Sequence, residues 1–232
     1  MGAAVLKKQF EPVLGGTLGG TPGITLDWQT RPEPDLVPTG VPQVDSAIGG
    51  LPRGCLTEIA GPPSSGRTTL LLSILAAATA RHEICALVDA EDAFAPHSAA
   101  AAGVQLSHIL WVRCGHSAEH ALKAADLLIQ GGGFGMVVMD LGDTPPQTAR
   151  RISLTSWFRL RRAVEHTPTV LLSLGRQANA KTCASLVIEC GRNAVQWSGA
   201  RNVSRLLGGF EVCAQSTRRR KQCSPVFTAM AI

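Results

Sequence analysis

The sequence predicts an α/β fold in which a mostly parallel central sheet is flanked by helices. From residue 39 onward, apolar runs of strand length alternate with helical segments, an order typical of a parallel sheet. A glycine-rich turn at residues 61–66 joins one apolar run to a helical segment, as in loops that bind phosphate. With 232 residues, of which 45% are hydrophobic and 17% charged, the chain can bury one substantial core. We therefore expect a core domain over residues 39–232, preceded by an arm and linker over residues 1–38.

Strands and helices are expected in regular alternation after this arm, which itself contains a short helical candidate at residues 5–14. The last strands are expected to add an antiparallel portion to the sheet. The expected strands are 55–60, 84–88, 109–113, 136–139, 170–174, 184–189, 210–214 and 226–232, and the expected helices are 68–80, 93–102, 118–129 and 155–165.

The charge of the chain is distributed unevenly. Residues 1–144 carry 8 basic and 14 acidic side chains, a net charge of −6, whereas residues 145–232 carry 14 basic and 3 acidic ones, a net charge of +11. The C-terminal part would therefore attract a polyanion or an acidic protein surface. The charge alone leaves open which of the two it binds.

Composition also bears on the compartment. The 7 cysteines include no Cys-x-x-Cys pair and the sequence shows no signal-peptide pattern, so we expect reduced thiols in the cytoplasm. The longest apolar run, residues 70–80, is about half of the ~20 residues that a membrane span needs. We expect a buried helix there and no membrane partner.

The strongest chemical signal is the loop that follows the first core strand. It is close to the pattern Gly-x-x-x-x-Gly-Lys-Ser/Thr, in which backbone N–H groups converge on phosphate oxygens and a helix N-terminus adds positive potential. Thr68 would offer its hydroxyl to Mg²⁺. A glycine-rich turn without a ligand is the alternative interpretation. The candidate nucleotide-binding residues are Gly61, Pro62, Pro63, Ser64, Ser65, Gly66, Arg67, Thr68 and Thr69.

Arg67 stands where this pattern has a lysine. A planar guanidinium can bind phosphate through two hydrogen bonds but cannot occupy the position of a compact ammonium. We therefore expect ATP and Mg²⁺ to bind a weakened site at which hydrolysis is reduced or lost.

Asp140 directly follows the apolar run at residues 136–139. A carboxylate at the end of such a strand can orient Mg²⁺ beside a phosphate loop. Taken alone, such an aspartate is more typical of an ordinary strand end or a helix cap. Because the loop is present, we favour Asp140 as a metal-binding residue.

Five motifs follow one another from Thr39 onward: Thr39-Gly-Val-Pro-Gln-Val-Asp45, Gly49-Gly-Leu-Pro-Arg-Gly54, Glu58-Ile-Ala-Gly61, Ser64-Ser-Gly-Arg-Thr-Thr69 and Val88-Asp-Ala-Glu91-Asp-Ala-Phe. In order and spacing they resemble the RecA recombinase family, which implies a RecA-like P-loop core. The resemblance implies that Glu91 is the catalytic base that activates the attacking water. It also implies that Lys181, in Lys181-Thr-Cys-Ala-Ser-Leu-Val-Ile-Glu, reaches the nucleotide of a neighbouring subunit, although lone lysines at such positions usually face water.

The sequence also departs from that family. Only residues 176–180 stand where the family has a long DNA-binding loop, and the connection after Asp140 is also reduced. The glutamine that senses the γ-phosphate in the family is replaced by Gly175 or Arg176, and the chain has no tyrosine to stack on adenine. The resemblance therefore implies weakened nucleotide binding and no active filament.

A shortened RecA-like core with altered catalytic and DNA-binding loops resembles the ImuA group, accessory proteins of the bacterial mutagenic DNA-damage (SOS) response. This resemblance implies a DNA-repair role in translesion synthesis, exerted through DNA polymerase-type repair proteins and RecA recombinase. Two alternatives stay open. One is an active DNA-dependent ATPase of recombinational repair, and the other is an ATP-driven clock or transporter-associated domain, which the fold alone permits.

Two groups of basic residues are candidates for contact with single-stranded DNA. The first surrounds Trp157 and could combine phosphate contacts with an aromatic platform, unless Trp157, Leu160 and Val164 form the buried stripe of an amphipathic helix whose arginines simply face water. The second lies between two expected strands and is either a DNA-binding or partner-binding hairpin tip or a solvated turn. The first group is Arg150, Arg151, Arg159 and Arg162, and the second is Arg218, Arg219, Arg220 and Lys221.

Overall fold

An eight-stranded sheet forms the centre of the computed structural model, which describes residues 34–198, 206–216 and 226–230. Six adjacent strands run parallel, and two antiparallel strands extend one edge. The predicted α/β fold with a C-terminal antiparallel addition is therefore confirmed. In chain order the elements are β1 (Leu36–Val37), α1 (Pro42–Ile48), β2 (Leu51–Pro52), β3 (Cys55–Ala60), α2 (Arg67–Ala80), β4 (Cys85–Asp89), α3 (Pro96–Ala101), β5 (Ile109–Arg113), α4 (Ala118–Gly131), β6 (Met136–Leu141), α5 (Pro146–Ala149), α6 (Leu154–Val164), β7 (Val170–Gly175), β8 (Leu186–Ser198), β9 (Leu206–Ser216) and β10 (Val226–Met230), with short 3-10 turns at Leu106–His108 and Lys181–Cys183.

The strand order is β10-β9-β8-β3-β7-β6-β4-β5. β3 pairs with β7, with Ala60 opposite Gly175, and β6 pairs with β7 and β4, with Asp140 opposite Leu174 and Asp89. Because these four strands are parallel, the segments that follow them leave from the same edge of the sheet. In α/β sheets ligands bind at this carboxyl edge.

Helices cover both faces of the parallel strands. Successive strand residues point to opposite faces, so β4 places Cys85 and Leu87 in one apolar cluster and Ala86 and Val88 in the other. Helices α1, α2 and α3 contribute to the first cluster, and α4 and α6 to the second. The sheet is thus buried between two layers and holds its carboxyl edge in a fixed geometry.

Helix α6 has the predicted amphipathic character. Its apolar stripe is buried, with Trp157, Leu160 and Val164 at 1%, 0% and 0% exposure. The helix begins after Ser153, whose side chain accepts a hydrogen bond from the amide of Ser156, and its last turn is basic. Both features stabilise helix ends.

Contacts with the core begin before residue 39. Leu36 and Val37 pair with Leu51–Pro52, and Val37 is buried, so two residues that we placed in the linker belong to the packed part of the chain. β1 and β2 have two residues each and are too short for periodicity to reveal. Helix α1 is also absent from the expected elements, and it begins with a proline at its first position.

Strand β8 differs most from its prediction. It runs over Leu186–Ser198 rather than residues 184–189, because it continues past β3 to pair with β9. Lys181, which the resemblance placed at the start of this strand, lies instead in a 3-10 turn with a φ of 49°.

Two predicted features fall outside the residues that the structure describes. They are the helical candidate at residues 5–14 and the basic cluster at residues 218–221. Among the described helices, the longest have 14 residues, and none is long and apolar enough to cross a bilayer.

Candidate nucleotide-binding site

The loop from Gly61 to Thr69 joins β3 to α2, as the sequence predicted. Gly66 and Ser64 adopt left-handed backbone conformations, with φ of 85° and 57°, and these turn the chain into the helix. Within the described part of the chain, the amides of residues 65–69 donate no hydrogen bond. The first turn of α2 carries no acidic side chain. The loop therefore presents unsatisfied donors at a helix N-terminus, the arrangement that binds anions.

Gly61 and Ser65 form the base of this loop. A Cβ at Gly61 would lie 2.4 Å from the carbonyl oxygen of Cys190 and 2.6 Å from the Ser65 hydroxyl, so only glycine fits here. The Ser65 side chain is 1% exposed, and its hydroxyl has no hydrogen-bond partner among the described residues. A cavity of about 120 Å³ is lined by residues 64–69. A buried hydroxyl beside unsatisfied amides fits a phosphate group.

Arg67 opens α2 but its side chain is turned towards the segment after β6. Its Nη1 donates a hydrogen bond to the carbonyl oxygen of Gly142 at 3.1 Å, and the residue is 7% exposed. Burial lowers the pKa of Arg67, and the charges of Asp140 and Asp143 partly offset this effect. The guanidinium of the phosphate loop is therefore held by an internal carbonyl.

Asp140 lies on β6 at the same edge, one residue before the strand ends. Its Oδ1 accepts a 2.8 Å hydrogen bond from the amide of Gly142. Burial raises the pKa of Asp140 to about 6, although this hydrogen bond acts in the opposite direction. Thr68 is exposed in the first turn of α2. Hydroxyl and carboxylate oxygens are the donors that Mg²⁺ prefers, so these two residues fit the metal.

Glu91 follows β4, and both of its carboxylate oxygens are engaged. Oε1 accepts a 2.8 Å hydrogen bond from the hydroxyl of Thr144, and Oε2 lies 3.1 Å from Nδ1 of His116. The Glu91 side chain is 18% exposed. The predicted base thus lies at the carboxyl edge of the sheet. It is hydrogen bonded to the segment after β6, which also accepts the hydrogen bond from Arg67.

A second cavity, of about 460 Å³, lies at the connection from β7 to β8. Arg150 and Lys181 line it together with Ser153 and Asn179, and Nη2 of Arg150 donates to the side-chain oxygen of Gln177 at 2.6 Å. The structure therefore places Lys181 beside Arg150, one of the predicted DNA-contacting residues. Lys181 does not line the cavity of the phosphate loop, which is formed by residues 64–69.

The remaining arginines of the first basic group do not line this cavity. Arg159 forms an ion pair with Asp126 of α4 at 3.5 Å, with its own side chain 55% exposed. Arg151 and Arg162 are exposed. Arg159 and Arg162 are therefore placed as the amphipathic alternative describes, on the solvated side of α6, and Arg151 precedes this helix.

Glu58 of β3 fixes the connection between β7 and β8. Its Oε1 accepts hydrogen bonds from the amides of Asn179 and Ala180, at 2.8 and 2.9 Å. Glu58 is 3% exposed and Ala180 is fully buried. This connection is therefore held against the strand that carries the phosphate loop.

Comparison with known proteins now decides the family. The RecA N-terminal domain matches residues 18–145, which is more than half of the chain. The chain belongs to the RecA family. RecA of Methylococcus capsulatus is 45% identical over 108 residues, which cover 46% of this chain and 31% of that protein. RecA of Chloroflexus aurantiacus is 33% identical over 158 residues, 61% of this chain and 45% of that protein. The RecA-family chain described here thus spans less than half the length of these curated relatives.

A solved structure gives an independent view of the fold. The KaiC-like protein PH0186 of Pyrococcus horikoshii OT3 superimposes with a TM-score of 0.59 and covers 84% of this chain and 94% of its own. At 15% identity the similarity shows the shared RecA-type fold alone.

Sequence reasoning did not assign a role to several residues that shape this RecA-family site. His116 and Thr144 are 25 and 53 residues from Glu91, and nothing local in the sequence links them. Glu58 belongs to a motif of the family resemblance, but its contact with residues 179 and 180 crosses more than 120 positions. Gly142 accepts from Arg67 through its backbone carbonyl, which no side-chain pattern reveals.

Proposed function

We propose that this chain is a RecA-like DNA-repair accessory protein that binds a nucleoside triphosphate and acts mainly through protein partners. The observation that carries the proposal is a contrast between two groups. Both oxygens of Glu91 are hydrogen bonded inside the protein, whereas the amides of residues 65–69 donate no hydrogen bond to any residue that the structure describes. Accepting a proton from water would compete with these two internal contacts. Nucleotide binding without efficient hydrolysis follows from this combination.

The loop supplies the binding chemistry in this proposal. The amides of residues 65–69 and the N-terminus of α2 attract the phosphates, and Ser65 offers a buried hydroxyl beneath them. Mg²⁺, when bound with the nucleotide, would neutralise phosphate charge, and Thr68 and Asp140 are the residues that would hold it. Thr68 follows β3 and Asp140 lies near the end of β6, so both residues are at the carboxyl edge of the sheet.

Single-stranded DNA would contact the second cavity. Arg150 and Lys181 supply positive charge there, and Asn179 and Ser153 supply hydrogen-bonding groups around a volume of about 460 Å³. Clustered cations and polar groups bind a nucleic-acid backbone in a salt-dependent way. The connection from β7 to β8 spans only residues 176–185, where the family has a long DNA-binding loop, and this favours protein partners as the main ligands.

The proposed partners are DNA polymerase-type repair proteins and RecA recombinase, as the resemblance to the ImuA group implies. Their involvement is tested by affinity capture of the tagged full chain from bacterial cells exposed to DNA damage. Recovery of a polymerase homologue or of the recombinase is the expected result. Recovery of neither under conditions that retain the tagged chain would contradict the proposal.

Turnover of Mg-ATP separates this proposal from an active DNA-dependent ATPase. The accessory role predicts saturable nucleotide binding with hydrolysis at background level, unchanged by single-stranded DNA and by Glu91→Gln. Glu119→Gln is the matched control, because that carboxylate is 74% exposed on α4 and outside the site. DNA-stimulated turnover that disappears in Glu91→Gln alone would refute the accessory role.

One observation favours the ATPase as the second candidate. Glu91, Asp140 and the loop with Thr68 all lie at the carboxyl edge of the same parallel sheet, where base, metal ligand and phosphate loop must meet for phosphoryl transfer. The turnover assay with Glu91→Gln decides between the two candidates.

A further inference from the structure

The carboxylate of Glu91 is held by side chains from two separate segments. Oε1 accepts a 2.8 Å hydrogen bond from the hydroxyl of Thr144, in the segment that follows β6, and Oε2 lies 3.1 Å from Nδ1 of His116, between β5 and α4. Together Thr144 and His116 form a clamp on the two carboxylate oxygens. For Glu91 to act as a base, one of these contacts must be shared or given up.

Thr144 is the buried half of the clamp. The residue is 1% exposed, and its amide donates a 3.1 Å hydrogen bond to the carbonyl oxygen of Leu141. The same segment is held at the carbonyl oxygen of Gly142, which accepts hydrogen bonds from Arg67 at 3.1 Å and from Arg176 at 3.4 Å. The backbone that carries the Thr144 hydroxyl is therefore fixed at several points.

His116 is the accessible half of the clamp. Its side chain is 70% exposed, whereas that of Glu91 is 18% exposed. The backbone at His116 is left-handed, with a φ of 62°, a conformation that glycine adopts without strain. Contacts between exposed charged or polar side chains contribute little to stability. The imidazole can therefore leave Glu91 at a small cost to the fold.

The position of Glu91 suits catalysis once the clamp is open. Ala90, the preceding residue, donates its amide to the carbonyl oxygen of Asp140 at 3.1 Å, so the candidate base lies directly beside the candidate metal-binding residue in the chain order of the sheet edge. The phosphate loop with Thr68 leaves the same edge. The parts needed for phosphoryl transfer are present there, and the clamp opposes the proton transfer to Glu91.

We propose that Thr144 and His116 suppress ATP hydrolysis by holding Glu91, and that opening this clamp allows hydrolysis. The inference rests on the proposed nucleotide binding and adds the means by which turnover is controlled. In the open state Glu91 takes a proton from water while the water oxygen bonds to the γ-phosphorus. The bond from this phosphorus to the β,γ-bridging oxygen breaks, and ADP leaves with the electron pair.

The test measures Mg-ATP turnover of the full chain in variants that open either half of the clamp. Thr144→Val removes the hydroxyl, and a hydrogen bond to a charged group is strong enough that kcat should rise about tenfold over wild type. His116→Gly removes the imidazole at a backbone conformation that glycine tolerates, and kcat should rise about twofold to fivefold. The double variant should exceed both, with KM changed less than about twofold in each case.

Two further variants show that the gain acts through Glu91. Adding Glu91→Gln to the double variant should return turnover to background, because the released base is then absent. Thr144→Ser keeps a hydroxyl that can donate to Glu91, so its turnover should stay at the wild-type level. A merely structural role of Thr144 would not produce this pattern.

Matched controls make the same chemical changes at the opposite edge of the sheet. Thr169→Val removes a buried hydroxyl that donates to the carbonyl oxygen of Phe134 at 2.7 Å, just before β7. His166→Gly removes an exposed histidine side chain from a left-handed backbone with a φ of 64°. Both should leave turnover at the wild-type level. A rise in either would show that loosening of the fold increases turnover, and would overturn the inference.

The remaining outcomes separate this inference from the proposed function. Nucleotide binding by the double variant with turnover still at background would overturn the inference and leave the proposed function intact. If Thr144→Val fails to fold, His116→Gly carries the test at an exposed position, and unchanged turnover there would overturn the inference. Wild-type turnover that is stimulated by single-stranded DNA and disappears in Glu91→Gln would refute the proposed function. A fall of that turnover in Thr144→Val would overturn the inference as well.

Discussion

Replacing Glu58 by alanine tests how the connection between β7 and β8 is held. The carboxylate accepts from two amides at 2.8 and 2.9 Å, and its residue is 3% exposed. Truncation leaves the buried amide of Ala180 and the partly buried amide of Asn179 without this acceptor. An unsatisfied buried donor costs about 1–3 kcal/mol, so we expect the free energy of unfolding to fall by about 2–5 kcal/mol.

Urea denaturation followed by tryptophan fluorescence measures this loss, with Glu58→Gln as the comparison. The glutamine keeps a side-chain oxygen that can accept from the same amides, so its loss should be smaller, about 1–2 kcal/mol. If Glu58→Ala unfolds at the same urea concentration as the wild-type protein, these two hydrogen bonds do not hold the connection. An equal loss in both variants would show that charge, and not the acceptor, matters.

Two further predictions concern the phosphate loop and Asp140. Gly61→Ala places a Cβ 2.4 Å from the Cys190 carbonyl oxygen, so the loop must shift, and nucleotide affinity should fall at least about tenfold. Gly131→Ala, where a Cβ meets nothing within 4 Å, should leave nucleotide affinity unchanged, and an equal effect of both variants on binding would contradict the argument. Burial raises the pKa of Asp140 from 3.8 to about 6, so ionising it costs nothing below pH 3.8 and costs stability increasingly as the pH rises towards 6. Without Mg²⁺, Asp140→Asn should therefore have the same free energy of unfolding as the wild-type protein near pH 3.8. At pH 7.5 its free energy of unfolding should be higher by about 1–2 kcal/mol, allowing for partial solvent screening. A difference in urea denaturation that does not change with pH would show that another effect is responsible.

Much of the fold follows from local pattern. Strands β3 and β5 have the predicted bounds, and α2, α4 and α6 differ from prediction by only one or two residues at an end, because each has a continuous apolar run or stripe. β1 and β2 escape prediction because two-residue strands carry no period. The length of β8 escapes it because the second half of the strand is defined by pairing with β9 rather than by burial against β3.

The candidate site also has a part that local sequence predicts and a part that it does not. The phosphate loop and Asp140 are readable because their chemistry lies in contiguous residues at the ends of apolar strands. The contacts that position the charged side chains of the site join residues that are far apart in the sequence. Glu91 meets Thr144 across 53 positions, and Arg67 meets the backbone of Gly142 across 75. Only the strand order of the sheet brings these segments together, and that order is a property of the whole fold.

The connection after β7 has a mechanical consequence. It begins with Arg176, passes through Lys181, and is held to β3 by hydrogen bonds from the amides of residues 179 and 180 to Glu58. The segment from Arg176 to Ala180 is thus held at both of its ends, so a displacement of Arg176 is transmitted to residues 179 and 180. Asn179 and Lys181 line the cavity beside Arg150, so the shape of this cavity depends in part on the position of Arg176.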